Sequence, residues 1–149
     1  NMEVLDPEHS GINLFDENWK IYSRNSGMTG HCVGENATVE NSMITDGCKI
    51  RGTVKHSILF AGVTVEEGAE VEDAVVMGNS IIKAGATVKH CIIAENAVIG
   101  EGAIVGKKPE GEGVGEVATV APGVTIGARA KSGPNAMVYN DVEEGKEQC

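Results

Sequence analysis

Val39-Glu-Asn-Ser-Met-Ile44, Val54-Lys-His-Ser-Ile-Leu59, Val71-Glu-Asp-Ala-Val-Val76 and Val88-Lys-His-Cys-Ile-Ile93 are four versions of one segment, with starts 15, 17 and 17 residues apart. A second set interleaves with them: Val33-Gly-Glu-Asn-Ala, Val65-Glu-Glu-Gly-Ala, Ile82-Lys-Ala-Gly-Ala, Ile99-Gly-Glu-Gly-Ala and Ile126-Gly-Ala-Arg-Ala. Aliphatic residues therefore lead at 33, 39, 44, 50, 54, 59, 65, 71, 76, 82, 88, 93, 99 and 105, and the pattern resumes at Val120 and Ile126. Steps of four to six residues match neither the helical period nor the two-residue alternation of a strand. A step of about six, taken three times, closes a triangular coil of about 17 residues. Each side of the coil is a short strand pointing one aliphatic residue inward, and Gly, Asn and Asp make the corners. Stacked coils give three parallel sheets, an all-β solenoid. Val65, Val71, Val76, Ile82, Val88, Ile93 and Ile99 are its expected structural core.

Stacking turns the repeat into columns, because equivalent residues of successive coils lie about 4.8 Å apart. The column after the lead valine runs Glu40, Lys55, Glu72, Lys89. Its alternating sign favours this register by about 0.2–1 kcal/mol per cross-strand pair. The next column runs Asn41, His56, Asp73, His90. His56 and His90 are two coils apart, about 9–10 Å, too far for one metal ion whose ligand bonds are about 2.1 Å. A solvated ladder of turn residues is expected there, and no metal site. The third column, Ser42, Ser57, Ala74, Cys91, is uniformly small, as a tight inward corner requires.

The composition narrows the function. The 149 residues make one domain, and 22 Asp+Glu against 12 Lys+Arg leave a formal charge of −10. With no basic run longer than Lys107-Lys108, neither a nucleic acid nor an anionic membrane is an expected partner. Aromatic residues are only 3% of the chain, so the core must be aliphatic. No apolar run reaches the ~18 residues that span a bilayer, and residues 1–30 lack the pattern of a signal peptide, so a cytoplasmic location is expected. Cys32, Cys48, Cys91 and Cys149 form no Cys-x-x-Cys pair and read as reduced thiols, with Cys48 and Cys91 at buried repeat positions.

Outside the repeat, residues 1–32 form a linker and lead-in whose Leu14-Phe-Asp-Glu-Asn-Trp-Lys-Ile-Tyr22 is expected to cover the first open coil. The β-helix proper is expected over 33–140, interrupted by a Gly-rich loop over 106–119. The charged tail, 141–149, is expected to fray. No nucleophile with a base, no phosphate-binding glycine loop and no paired carboxylates stand out, so no catalytic residue is assigned.

The repeat resembles the hexapeptide-repeat family, which implies a left-handed parallel β-helix, an exception to the right-handed crossover rule. A closer resemblance rests on Asn18-Trp-Lys-Ile-Tyr22, Asn41-Ser-Met-Ile-Thr-Asp-Gly-Cys48 and His56-Ser-Ile-Leu-Phe-Ala-Gly-Val63. Over about residues 1–105 the chain is similar to the C-terminal domain of bacterial glucose-1-phosphate adenylyltransferases. That family makes ADP-glucose and pyrophosphate from ATP and glucose 1-phosphate for glycogen synthesis, using Mg2+ in an N-terminal nucleotidyltransferase domain. None of that domain is in these residues, so the resemblance implies a piece that is inactive alone, with no cofactor of its own. It implies packing against the catalytic domain, assembly into a homotetramer (at least a dimer for this piece), and regulation by small anionic effectors. Lys49, Arg51, Lys55, Lys107 and Lys108 are the effector-binding candidates on these grounds. Some members carry a basic residue after the Cys-Ile-Ile strand, where Ala94-Glu95-Asn96 has none. Alternatives are a stand-alone hexapeptide acyltransferase using His56 or His90, a noncatalytic regulatory subunit of the same pathway, and a γ-class carbonic anhydrase, which the four histidines fit poorly.

Overall fold

The computed structural model describes residues 2–14, 16–20, 22, 25–109 and 117–148. From Cys32 onward the chain winds as a left-handed parallel β-helix of about six turns, and every strand pair in it is parallel.

The aliphatic leads make the three inner walls. On the first face Val54, Val71, Val88 and Val105 stack in register. On the second, Ile50, Val65, Ile82, Ile99 and Ile126 do so. On the third, Leu59, Val76, Ile93, Val120 and Val138 do. All are buried, and alanines such as Ala69, Ala86 and Ala103 fill the space at the corners. Each coil hydrogen-bonds to the next along its strands, as in Lys49 N–H to Val63 O (2.9 Å), Arg51 N–H to Val65 O (2.8 Å) and Glu66 N–H to Ile82 O (2.9 Å). A buried backbone that pairs this completely needs no other partner.

First and third faces join at a corner where Glu70–Val76 and Thr87–Ile93 run through as single strands. The second face is the separate sheet of Cys32–Val33, Lys49–Ile50, Thr64–Val65, Ile81–Ile82, Val98–Ile99 and Thr125–Ile126. No helix among the described residues is long and apolar enough to cross a membrane.

Two expectations are corrected. The tail does not fray: Val142 pairs with Ile126 and is 8% exposed, and Glu147–Gln148 adds a strand to Lys131–Ser132. Val142-Glu143-Glu144-Gly145 repeats the lead-and-turn pattern of Val65-Glu66-Glu67-Gly68, which gives the tail an inward residue to bury. The lead-in does not cap the first coil either, since Val33 is 46% exposed, Trp19 74% and Tyr22 85%. Its Met28 packs against the side of the prism instead. Met28 sits on the corner formed by Gly47 and Gly62, its Sδ only 2.6 Å from where a Cβ at Gly47 would stand. Two glycines there make the seat, and a side chain at either would close it.

Candidate functional site

The corner between the first and third faces concentrates the chain's polar chemistry. There Asn41, His56, Asp73 and His90 all have positive φ, between 39° and 50°. A non-glycine residue pays for that conformation, and Asn, Asp and His tolerate it best. Backbone geometry thus accounts for the composition of the column, and stacking then brings its members together. His56 donates from Nδ1 to the Asp73 carboxylate at 2.6 Å, which leaves Nε2 for other partners. Among the described residues no group of three or more His, Cys, Asp or Glu side chains is placed to hold a metal ion.

Beneath this ladder the small column is wired by hydroxyls. Ser42 Oγ donates to Glu40 O (2.7 Å) and accepts from Ser57 N–H (3.1 Å). Ser57 Oγ donates to Lys55 O (2.7 Å) and accepts from Ala74 N–H (3.2 Å). Cys91 ends the column, and complete burial pushes its thiol up to about 12. Burial likewise raises the Cys48 thiol, against hydrogen bonds that lower it. Cys32, Cys48 and Cys91 are free thiols; Cys149 lies outside the described residues.

The loop leaves the stack at this same corner. Gly106 takes the place above Lys89, with φ 71° and a would-be Cβ 2.1 Å from Lys89 O, so only glycine fits. The chain returns as Ala118–Val120, with Ala118 over Cys91. Residues 110–116 of the expected 106–119 loop lie outside the described residues. From the loop's base Lys108 reaches back to Glu72 (2.7 Å) and approaches Asp73 (3.8 Å). Lys89 lies between Glu70 (3.2 Å) and Glu72 (3.4 Å). The hydrogen bond from Lys108, helped by Lys89 and opposed by burial, holds the Glu72 carboxyl below its ordinary range. Glu70 and Glu72 raise Lys89, and Glu72 raises Lys108.

A cavity of about 410 Å³ opens between ladder and loop. His56, Asp73, His90 and Lys108 form its polar end, and Val75, Cys91, Ile92, Pro109, Val117 and Met2 its walls. The five candidate cations do not converge on it. Lys49 is exposed on the second face, and Arg51 lines a separate cavity of about 190 Å³ with Glu35 and Glu67. Lys55 lies on the first face, paired with Glu40 at 3.3 Å. Lys107 is exposed at the loop base, and Lys108 alone of the five lines the corner cavity.

The sequence profile of the family described as "GlmU-like, C-terminal hexapeptide" matches residues 28–126, about two thirds of the chain. The chain belongs to this family. Within the GlmU-like hexapeptide family its curated relatives include the glucose-1-phosphate adenylyltransferase of Bacillus mycoides, 53% identical over 74 residues, and that of Bacillus anthracis, 51% identical over 74 residues. These matches span 50% of this chain and only 19% of either relative's length. Among solved structures, the acetyltransferase domain of PglB from Neisseria gonorrhoeae superimposes with a TM-score of 0.56 at 20% identity, covering 80% of this chain and 54% of that one. At that identity the likeness is one of fold.

Proposed function

We propose that this hexapeptide solenoid is the C-terminal oligomerisation and allosteric-regulation domain of a cytoplasmic glucose-1-phosphate adenylyltransferase. Identity of 53% over 74 residues carries the reading, because hexapeptide register alone constrains only the leads and corners and leaves outward positions free. The parent would make ADP-glucose and pyrophosphate from ATP and glucose 1-phosphate in a preceding catalytic domain, as a homotetramer. Mg2+ would belong to that domain; among the described residues here no group of three or more His, Cys, Asp or Glu side chains is placed to hold a metal ion. In this reading the solenoid supplies rigid spacing between subunits and surfaces for anionic effectors.

The effector candidates differ in what an anion would meet. Lys108 is already neutralised by Glu72 at 2.7 Å, so an anion would have to draw it away. Arg51 shares its cavity with Glu67 and Glu35, and Lys55 is ion-paired with Glu40. A phosphorylated effector therefore exchanges one carboxylate partner for another anion, and its binding weakens with salt. Grafting residues 28–149 in place of the matching region of the B. mycoides enzyme tests the proposal. A tetramer that forms ADP-glucose is expected; a chimera that stays monomeric while the parent assembles overturns it.

One observation favours a second reading, acyl transfer by a stand-alone protein. The His56–Asp73 pair has the form of a histidine base oriented by a carboxylate, and it opens onto a largely apolar cavity. Calorimetry with acetyl-CoA separates the two: saturable heat lost in His56→Ala supports acyl transfer, and no heat removes it.

A further inference from the structure

Charge decides what the corner cavity can hold. Its polar end is His56, Asp73, His90 and Lys108. Asp73 takes His56 Nδ1 on one carboxylate oxygen at 2.6 Å and has Lys108 3.8 Å from the other. Lys108 itself is held by Glu72 at 2.7 Å, and Lys89 is shared between Glu70 and Glu72. Across the corner two ammonium groups, Lys89 and Lys108, thus face three carboxylates, Glu70, Glu72 and Asp73. An added carboxylate or phosphate would meet an excess of like charge in a partly enclosed place, where salt screens it poorly.

The hydrogen-bonding capacity left over is of both kinds. With Nδ1 donating to Asp73, Nε2 of the neutral ring is an acceptor. The Lys108 ammonium only donates, with three N–H groups for its two carboxylate neighbours. Both groups border the same Asp73 carboxylate, which makes them neighbours. A hydroxyl donates its proton and accepts at its lone pairs, so one O–H can serve both. A carboxylate cannot donate to Nε2, and an ammonium cannot accept from Lys108.

Away from this end the lining is apolar and comes from separate parts of the chain. Val75 and Ile92 belong to the third-face strands, Pro109 and Val117 to the two ends of the loop, and Met2 to the lead-in. Cys91 counts with them, because its buried thiol, pushed up to about 12, stays neutral. A dry cavity of about 150 Å³ accommodates a benzene ring, so one of about 410 Å³ has room for a body of two fused rings.

We propose that the corner cavity is a binding site for an uncharged alcohol with an apolar body of about two rings, whose hydroxyl donates to His56 Nε2 and accepts from Lys108. Its body then joins the loop ends at Pro109 and Val117 to the solenoid wall at Val75 and Ile92. The inference goes beyond the assembly and regulatory reading and does not depend on it. It needs no acyl donor either, so its test and the acetyl-CoA calorimetry fail separately.

Methyl NMR of the 149-residue chain reads the cavity through Val75, Ile92 and Val117. Three probes share one body and differ in the head: naphthylmethanol, naphthoate and naphthylmethylamine. Naphthylmethanol is expected to shift these methyls saturably, with an affinity unchanged by salt, and both ionised probes to bind severalfold more weakly. His56→Asn keeps the positive-φ turn, as Asn41 does in the same column, and withdraws Nε2. Lys108→Met withdraws the ammonium and keeps an apolar stem. Each should weaken naphthylmethanol about two- to tenfold, the worth of one hydrogen bond, with unchanged far-UV circular dichroism. Lys55→Met, on the first face, should leave it unchanged. Absence of a saturable shift overturns the proposal. So does an ionised probe that binds as tightly as the alcohol, or an alcohol affinity that neither cavity variant alters, which would mark apolar partition alone.

Discussion

Replacing Val71 tests the inward register most sharply. Val71 is 1% exposed and stacks between Val54 and Val88 on the first face. Val71→Ala removes two buried carbons, worth about 0.8 kcal/mol each. An unrelaxed void of roughly 40 Å³ adds about 1 kcal/mol at 24 cal/mol per Å³, so a loss of about 2–3 kcal/mol is expected. Val71→Asp is far worse, because a carboxyl on that wall has only aliphatic neighbours. Keeping it neutral at pH 7, about three units above the ordinary aspartate pKa of about 3.9, costs about 4 kcal/mol, before the unmet hydrogen bonds of the acid, about 1–3 kcal/mol more. Against a total stability of about 5–15 kcal/mol, the aspartate unfolds the central coils. The sign of its pH dependence follows: a folded-state pKa raised above the unfolded value makes the penalty smallest below about pH 4 and growing as pH rises. Urea titration followed by circular dichroism at pH 7 and pH 3.5 measures both effects. A Val71→Asp chain that melts like the parent at pH 7 would refute the register.

Other consequences follow from the corner and its loop. Ser57→Ala leaves the Lys55 carbonyl and the Ala74 N–H without their hydroxyl partner, and should cost about 1–3 kcal/mol in urea unfolding. Ser132→Ala should do the reverse and raise the midpoint, because the buried Ser132 Oγ has no hydrogen-bond partner among the described residues, a defect worth about 1 kcal/mol or more. Glu72 has a lowered carboxyl pKa, so its ion pairing stabilises the fold above its ordinary value of 4.5 and is lost as pH falls through the lower folded value. Lys108→Ala should therefore be less stable than the parent at pH 7, with the difference shrinking as pH falls below 4.5, by thermal melts. Cys91, buried with its thiol pushed up to about 12, should resist iodoacetamide until the chain unfolds, while the exposed Cys32 is alkylated natively, as peptide mass spectrometry would record.

What could be read in advance was what the period carries. The leads, the three-sided coil and the alternating Glu40-Lys55-Glu72-Lys89 column are local repeats, and stacking converts a repeat directly into position. The burial of Cys48 and Cys91 followed from the same register. The tail's strand is hard to see in the sequence because Ser132 interrupts the run of aliphatic leads, and Lys146 stands where other coils place Ala. These two substitutions weaken the pattern without destroying the pairing. The path of the lead-in was hidden for a different reason: Met28 is held by two glycines 15 residues apart, a relation no local period expresses. The corner cavity belongs to the same class. It joins Met2, the 56–92 ladder and the loop-end residues Lys108, Pro109 and Val117, which are neighbours only after folding. Lys108 was visible as a candidate cation, but its neutralisation by Glu72 was not, since that pairing crosses 36 residues.

The proposed role of this solenoid in regulating and assembling an ADP-glucose-forming enzyme can be tested in the native protein. Peptides from residues 28–126 can be used to capture it from its source, and its mass and activity measured together. A polypeptide of about 390 residues, the length at which 74 residues make 19%, that assembles as a tetramer and forms ADP-glucose from ATP and glucose 1-phosphate is the expected result. A native chain of 15.5 kDa without that activity would contradict it.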